Sequence, residues 1–322
     1  MYTVSPGQRT DGAPSSSGPA QTPAAPPRLA VAPASSPVRS EPDLSERALN
    51  SAAYDQPPPA ETPSRYFILS QRRSGSFMLC RALIRAGLGV PHEYFQPHHL
   101  RDLARRWGVR ARTGRGGAPP DFLQALIDRR TANGHFGAKI QYWEYEKALS
   151  GAHGASFLSG AKFIYLYRRN LLKQAVSFRH AEITGRWGAN DDVTTAPVRG
   201  DPFDAAAIDR NLHLLIQDEV GWRKFLARQG LDALFVSYEE LRADFGATLQ
   251  RIVQHLGAPA ELARKVRPEP PSEAVRESQS MKARMLDAYL AAKRKAPARR
   301  SLRGRLARIA WSAWAGLDSR RA

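Results

Sequence analysis

Apolar residues along this chain fall into short dense runs, and stretches with helical spacing lie between them. Tyr66-Phe67-Ile68-Leu69-Ser70 is a compact apolar run that predicts a buried strand. From Phe77 to Ala86 apolar positions recur three and four apart, which predicts a helix, with Gly87 as its C-terminal cap. Gly137 to Trp143 is strand-like, and Lys162 to Tyr167 is a second β-rich run followed by a helical stretch from Leu171 to about Thr184. Helices are also predicted over Asp121 to Asn133, Ile208 to Gln229 and Phe245 to Gly257. The second of these has Leu212, Leu215, Val220 and Phe225 on its apolar side. Leu234 to Ser237 reads as a late buried strand. No repeat period is present. Strands alternating with helices predict an α/β fold, a parallel central sheet flanked by helices.

Composition divides the chain into three. Residues 1–63 are rich in Pro, Ala, Ser and Gly and hold few aromatics, so they are expected to be disordered. Residues 64–290 carry the patterned elements and are expected to form the folded domain. Residues 291–322 hold ten Lys or Arg against one acid, Asp318, which is half of the chain's net charge of +18. Within this tail, Leu302 to Trp314 mixes arginines with Leu, Ile and Trp at helical spacing. A basic amphipathic helix over residues 293–314 would suit peripheral contact with an anionic membrane. The chain begins without a basic segment followed by an apolar one, and its single cysteine, Cys80, cannot form an internal disulfide. Together these predict a cytoplasmic protein, possible contact with the inner membrane face aside.

The chemistry concentrates between the first strand and its helix, in Gln71-Arg72-Arg73-Ser74-Gly75-Ser76. A strand, a loop of small residues and a helix aim backbone N–H groups and a helix N-terminus at one point, which suits an oxyanion. Arg72 and Arg73 add fork-shaped donors that match phosphate or sulfate. The loop is not a Walker A motif, because it has one glycine and no lysine before the hydroxyl residue. The Lys162–Tyr167 run ends in Arg168-Arg169-Asn170, and Ser177 follows Arg169 by eight residues, about two helical turns. Both candidate anion sites lie at the carboxyl ends of predicted parallel strands, where ligands of α/β sheets gather. They therefore suit one ligand with two separated anionic groups.

This constellation resembles the bacterial sulfotransferases that use 3′-phosphoadenosine 5′-phosphosulfate (PAPS), a family typified by trehalose 2-sulfotransferase with the lipopolysaccharide and Nod-factor sulfotransferases. Gln71-Arg72-Arg73-Ser74-Gly75-Ser76 is similar to the family's first loop. Gly89-Val90-Pro91-His92-Glu93-Tyr94-Phe95 resembles its Gly-x-Pro-x-Glu-(Tyr/Phe)-Phe segment. Phe136-Gly137-Ala138-Lys139, Thr184-Gly185-Arg186-Trp187 and Leu234 to Leu241 add further likeness, over about Arg65 to Tyr289. The resemblance implies a P-loop-like sulfotransferase fold. It implies that Arg72, Arg73, Ser74, Gly75, Ser76 and Phe77 hold the 5′-phosphosulfate, and that Arg169 and Ser177 hold the 3′-phosphate. Phe77 departs from the family, which often has Thr there. Arg101 to Pro119, rich in Arg and Gly, matches nothing in the family and is expected on the acceptor side.

Sulfuryl transfer to an alcohol is helped by a general base. The resemblance assigns that role to Glu93, and its neighbours Pro91, Tyr94 and Phe95 predict apolar surroundings of the kind that raise a carboxylate's pKa. Arg73, the loop N–H groups and Lys139 are candidates to stabilise the leaving phosphate. Tyr94, Phe95, Lys139 and Trp187 are the expected acceptor-binding residues. His92, His98 and His99 are competing bases. They suggest no metal site, because no carboxylate or cysteine is spaced nearby to complete one, and the resemblance implies transfer without a metal. The expected acceptor is a carbohydrate hydroxyl, trehalose-like or on a glycolipid, and the family's habit allows a homodimer. Two other readings stand beside this one. An ATP-dependent kinase of related fold would need a Walker lysine and a Mg²⁺-holding aspartate. A non-enzymatic adaptor would bind membrane or nucleic acid through the basic tail, although no nucleic-acid recognition motif accompanies it.

Overall fold

The structure, a computed structural model, describes residues 42–111, 117–187, 200–268 and 273–295. A one-turn helix, α1 (Glu46–Leu49), leads to strand β1 (Ser64–Ser70). Helices α2 (Ser76–Arg85), α3 (Pro97–Trp107) and α4 (Pro120–Arg130) follow, then β2 (His135–Gln141), the short turn α5 (Tyr142–Glu144) and α6 (Ala152–Leu158). Strand β3 (Lys162–Tyr167) precedes α7 (Leu171–Thr184) and the long α8 (Ala205–Gln229). Strand β4 (Ala233–Ser237) is followed by α9 (Tyr238–Ala243), α10 (Phe245–His255), α11 (Glu261–Arg264) and α12 (Glu273–Lys295).

The four strands form one parallel sheet in the order β2-β1-β3-β4. The expected α/β architecture of a parallel sheet flanked by helices is therefore what the chain adopts. Alternation along each strand sends side chains to two separate cores. Phe67 and Leu69 of β1 join Phe136, Ile140, Phe163, Tyr165 and Trp222 on one face. Tyr66 and Ile68 join Leu79, Leu83, Ile164, Val236 and Ile252 on the other. A strand covered on both faces has no polar side to show, which is why β1 and β3 read as continuous apolar runs. The sheet's carboxyl edge is aligned by register, with Ser70 opposite both Gln141 and Leu166, and Tyr167 opposite Ser237. The loops that follow all four strands thus open on one side.

The structure departs from the sequence expectations in three places. The packed chain begins at Asp43 rather than at residue 64. Leu44 and Leu49 are buried with Val90, and Asp55 pairs with Arg106 at 2.8 Å and with the fully buried Arg130 at 3.1 Å. The expected disorder of residues 1–41 lies outside the described residues, as does the amphipathic tail from residue 296 onward. The Arg-rich stretch from Arg101, for which no element was expected, is helical up to Trp107 as the body of α3, whose Leu100, Leu103, Ala104 and Trp107 are buried one helical turn apart. Strand β2 stops at Gln141, two residues early, because the chain turns there into α5.

Candidate active site

The loop after β1 crosses the carboxyl edge in a constrained form. Arg73 has φ 63 and Gly75 has φ 87, both in the left-handed region. A Cβ on Gly75 would lie 2.5 Å from Cδ2 of Tyr238, so glycine is required on steric as well as conformational grounds. The Ser74 N–H closes the turn by donating to the Gln71 carbonyl at 3.3 Å, and the loop leads into the start of α2, where free helix N–H groups suit an anion. Ser74 Oγ is buried there and has no hydrogen-bond partner among the described residues. An unpartnered buried hydroxyl beside a helix N-terminus fits a loop shaped for an anionic ligand.

The two loop arginines go separate ways. Arg73 Nε donates to Ser177 Oγ at 3.3 Å, and Nη1 donates to the Trp187 carbonyl. Arg72 pairs with Asp218 of α8 at 3.1 Å and lies 5.5 Å from the ring centroids of both Trp143 and Phe178. In the free protein its charge is met by Asp218, which turns the side chain toward α8. Burial lifts the Asp218 carboxyl to about 6 against the pull of Arg72. Gln174 of α7 donates to the Arg72 carbonyl at 2.7 Å and Gln71 donates to the Leu215 carbonyl at 2.9 Å, which bind the loop to two helices.

Around Arg73 the structure gathers more cations than the sequence suggested. Lys282 of α12 lies close enough that burial together with Arg73 and Arg168 lowers its pKa to about 8. His180 is held down at about 4 by burial, with Lys282, Arg73 and Arg186 adding to the effect. Arg168 stacks 4.1 Å over the Tyr238 ring and its Nε is buried without a partner. Burial is the first cause of the shifts of Lys282 and His180 and neighbouring positive charge the second, so this corner of the site is strongly positive and suits an anion. Arg169, by contrast, is exposed, with its guanidinium 3.6 Å from Glu240 and its N–H donating to Glu239. Ser177 and Arg73 are brought together, while Arg169 faces the acidic start of α9.

Glu93 is buried beside β2. The Lys139 backbone N–H donates to the His92 carbonyl at 3.0 Å, which docks the Gly89–Phe95 segment on the sheet edge. Glu93 Oε1 accepts from both the Lys139 ammonium and the Gln141 amide. The apolar surroundings expected for Glu93 are thus replaced by a buried ion pair. Lys139 is no edge lysine. It is 2% exposed, on the face of β2 that carries α2, and its Nζ stands 4.4 Å from the Phe77 ring centroid. Gln141 is fixed in turn by a capping box. Its own N–H donates to Glu144 Oε2 at 2.8 Å, and its Oε1 accepts from Trp143 Nε1 at 3.0 Å. Glu144 is fully buried, and burial next to the Glu93 charge raises its pKa well above the carboxylate range, against the pull of Lys139. Gln141-x-x-Glu144 lacks the Ser or Thr that marks a capping box in sequence, so only the structure reveals this cap.

Two expected acceptor residues belong to the core. Tyr94 is fully buried, donating its hydroxyl to the Val90 carbonyl, and Phe95 packs edge-on to Phe122 and Phe157. Trp187 is 40% exposed and packs on Phe178. His92 is no base. Burial, followed by the charges around it, keeps it neutral, and Asn50 donates to its Nε2 at 3.1 Å. His98 and His99 instead meet Glu46 from α1, at 3.5 and 2.8 Å, so a carboxylate absent from their neighbourhood in sequence is supplied in space.

The family model for the Stf0 sulphotransferases matches residues 65–286. Trehalose 2-sulfotransferase of Mycolicibacterium smegmatis (strain ATCC 700084 / mc(2)155) is 27% identical over 240 residues, covering 64% of this chain and 89% of that protein. Trehalose 2-sulfotransferase of Mycobacterium tuberculosis (strain ATCC 35801 / TMC 107 / Erdman) is 25% identical over 240 residues, with 62% and 86% covered. Among solved structures, mouse sulfotransferase SULT7A1 complexed with PAP has a TM-score of 0.38 at 19% identity, covering 73% of this chain and 72% of that one. Retinol dehydratase in complex with androsterone and inactive cofactor PAP has a TM-score of 0.37 at 15% identity, with 79% and 86% covered.

Proposed function

The chain belongs to the Stf0 sulphotransferase family, and from that premise we propose that it moves the sulfuryl group of PAPS to a carbohydrate hydroxyl with Glu93 as general base. One observation carries the reading. Lys139 is buried between the Glu93 carboxylate and Phe77 at the start of α2, so it joins the candidate base to the anion-binding loop. The residues fit a donor with two anionic ends. The loop Arg73 to Phe77, with the unpartnered Ser74 Oγ, suits the 5′-phosphosulfate. Ser177, with Lys282 nearby, suits the 3′-phosphate, and Arg169 can swing to it from an exposed position.

In the step itself the acceptor oxygen attacks sulfur in line as its proton passes to the Glu93 carboxylate. The bond from sulfur to the phosphate oxygen breaks, and its electron pair stays on the departing phosphate. Arg73 and the loop N–H groups meet that charge. Lys139 pairs with Glu93 while Glu93 is ionised. Once Glu93 has taken the proton, the ammonium is free to serve the leaving oxygen. No metal enters this step. A sugar acceptor follows from relatives that are trehalose 2-sulfotransferases, and whether it is free or lipid-linked is part of the proposal. So are a cytoplasmic location, a homodimer, a folded unit ending near residue 290 and membrane contact through residues 293–314. No helix among the described residues is long and apolar enough to cross a membrane. The kinase alternative lacks its Walker lysine, and β3 runs into Arg168-Arg169-Asn170 where a metal-holding aspartate would be needed.

The test is Glu93→Gln. Turnover should fall by about 10²–10⁴, the usual worth of a general base, while affinity for PAP, the donor without its sulfuryl group, stays the same. Breaking a buried pair leaves Lys139 uncompensated, at a cost of about 3–5 kcal/mol, so retained PAP binding also shows that the variant folds. Unchanged turnover removes Glu93 as the base. Binding of ATP–Mg²⁺ but not PAP, measured calorimetrically, would remove the donor assignment.

A further inference from the structure

We propose that Glu46, His98 and His99 form a binding site for a zinc-class divalent metal ion, which fastens the segment before β1 to α3. Nothing in the transfer reaction requires this site, and the proposal does not rest on the function above. Side chains at adjacent positions on a helix normally diverge by about 100°. Here the rings of His98 and His99 lie with centroids 4.0 Å apart, and both Nε2 atoms face one oxygen, Glu46 Oε1, at 3.5 and 2.8 Å. The three donor atoms lie within 4.8 Å of one another, the one such group of three among the described residues. Zn–N and Zn–O bonds of about 2.0–2.2 Å at tetrahedral angles put ligand atoms about 3.3–3.5 Å apart, and the two observed separations bracket that value.

The hydrogen bonding favours a cation at this point. His99 is 4% exposed and its Nδ1 lies 2.8 Å from the Glu93 carbonyl, which can only accept, so the proton sits on Nδ1. Nε2 is then the nitrogen of that ring that faces Glu46 Oε1, and His98 turns its own Nε2 to the same oxygen. A single metal ion satisfies both rings and the carboxylate together. An imidazole whose other nitrogen donates to a backbone carbonyl is the usual orientation of a metal-binding histidine. Glu46 is held ready by its own helix, since Ser45 caps α1 through the Ala48 N–H at 3.2 Å and Leu49 is buried. His98 is 55% exposed on its side chain, which leaves the fourth position to water. Two imidazoles and one carboxylate suit zinc or its neighbours over Mg²⁺ or Ca²⁺. Through His99 the ion would also steady the carbonyl of Glu93.

The full chain, stripped with chelator, should be titrated with Zn²⁺ in competition with a chromophoric chelator. Wild type should bind one ion per chain, and zinc should raise its melting temperature. His98→Ala changes an exposed side chain and Glu46→Gln is isosteric, so both should fold. Each should weaken zinc by about tenfold or more, since loss of an outer-shell partner alone costs about 10–100-fold. Cobalt(II) in wild type should give the visible absorption of a four-coordinate site. Equal zinc affinity in wild type and the Glu46→Gln/His98→Ala double variant overturns the proposal, as does zinc that binds without raising the melting temperature.

Discussion

The charge state of Lys282 gives a direct reading of donor binding. In the free protein its pKa is drawn from 10.5 to about 8 by burial, with Arg73 and Arg168 adding to the effect. A phosphate placed beside Lys282 adds negative charge there and returns the group toward its ordinary value. Affinity for PAP should then be flat below about pH 8, where Lys282 is charged whether or not ligand is present, and should weaken above it. A complete return from about 8 to 10.5 spans roughly 2.5 units, or at most ~3.4 kcal/mol at about 1.36 kcal/mol per unit. Lys282 is only half-buried, so solvent screening reduces this to about 1–2 kcal/mol, a five- to thirtyfold loss of affinity by about pH 10. Calorimetry at pH 8 in two buffers of different ionisation enthalpy measures the protons taken up. The phosphates of PAP, with second pKa values about 6, contribute none there. Wild type should take up about half a proton and Lys282→Met close to none. Absence of uptake in wild type, or equal uptake in Lys282→Met, would refute the assignment of Lys282 to the anion site.

The loop and the acid limb offer two further tests. Gly75→Ala forces a side chain into the left-handed region and against Tyr238, so stability should fall by about 1–3 kcal/mol and PAP binding by about tenfold or more; a melting curve and titration matching wild type would show that the loop is not constrained. His180, near 4 when folded and 6.5 when unfolded, stays neutral in the native state. Its stability contribution is therefore full above about pH 6.5 and lost as pH falls toward 4, by at most ~3 kcal/mol. Asp218, raised from 3.8 to about 6, has the opposite slope across much of that range, so the measurement is the difference in urea stability between wild type and His180→Gln from pH 7 to 4. Parallel profiles would remove His180 from the acid response.

What could be read from sequence was what local pattern determines. The strands β1, β3 and β4 are apolar on both faces and announce themselves, and the loop between β1 and α2 is contiguous in sequence. Glu93 and Lys139 were both singled out, but their pairing was not, because it depends on a segment docking on the edge of β2 some forty residues later. Helix α3 carries a clear apolar stripe, hidden from view by the Arg and His residues on its other sides. Tyr94 and Phe95 follow Glu93 in sequence, and only the packing shows that they lie in the core beneath it. Lys282 and Glu46 gave no signal at all. Each lies far along the chain from the residues it faces, and one charged residue on a helix looks like any other until its neighbours are known.

The placement of α12 has a consequence for the order in which this protein becomes competent during its synthesis. The sheet is complete when Ser237 has emerged, and both cores can close around it soon after. Lys282 arrives 45 residues later (282 minus 237), which at about 5–20 residues per second is a delay of roughly 2–9 s. During that interval the chain holds Arg73, Arg168 and His180 in place without the helix that completes their cluster. The sheet can therefore form before the proposed anion site is complete. A chain that stops short of Glu273 should form the sheet, leave bare the face of α7 and α8 that Met285 and Tyr289 cover, and be a poor enzyme.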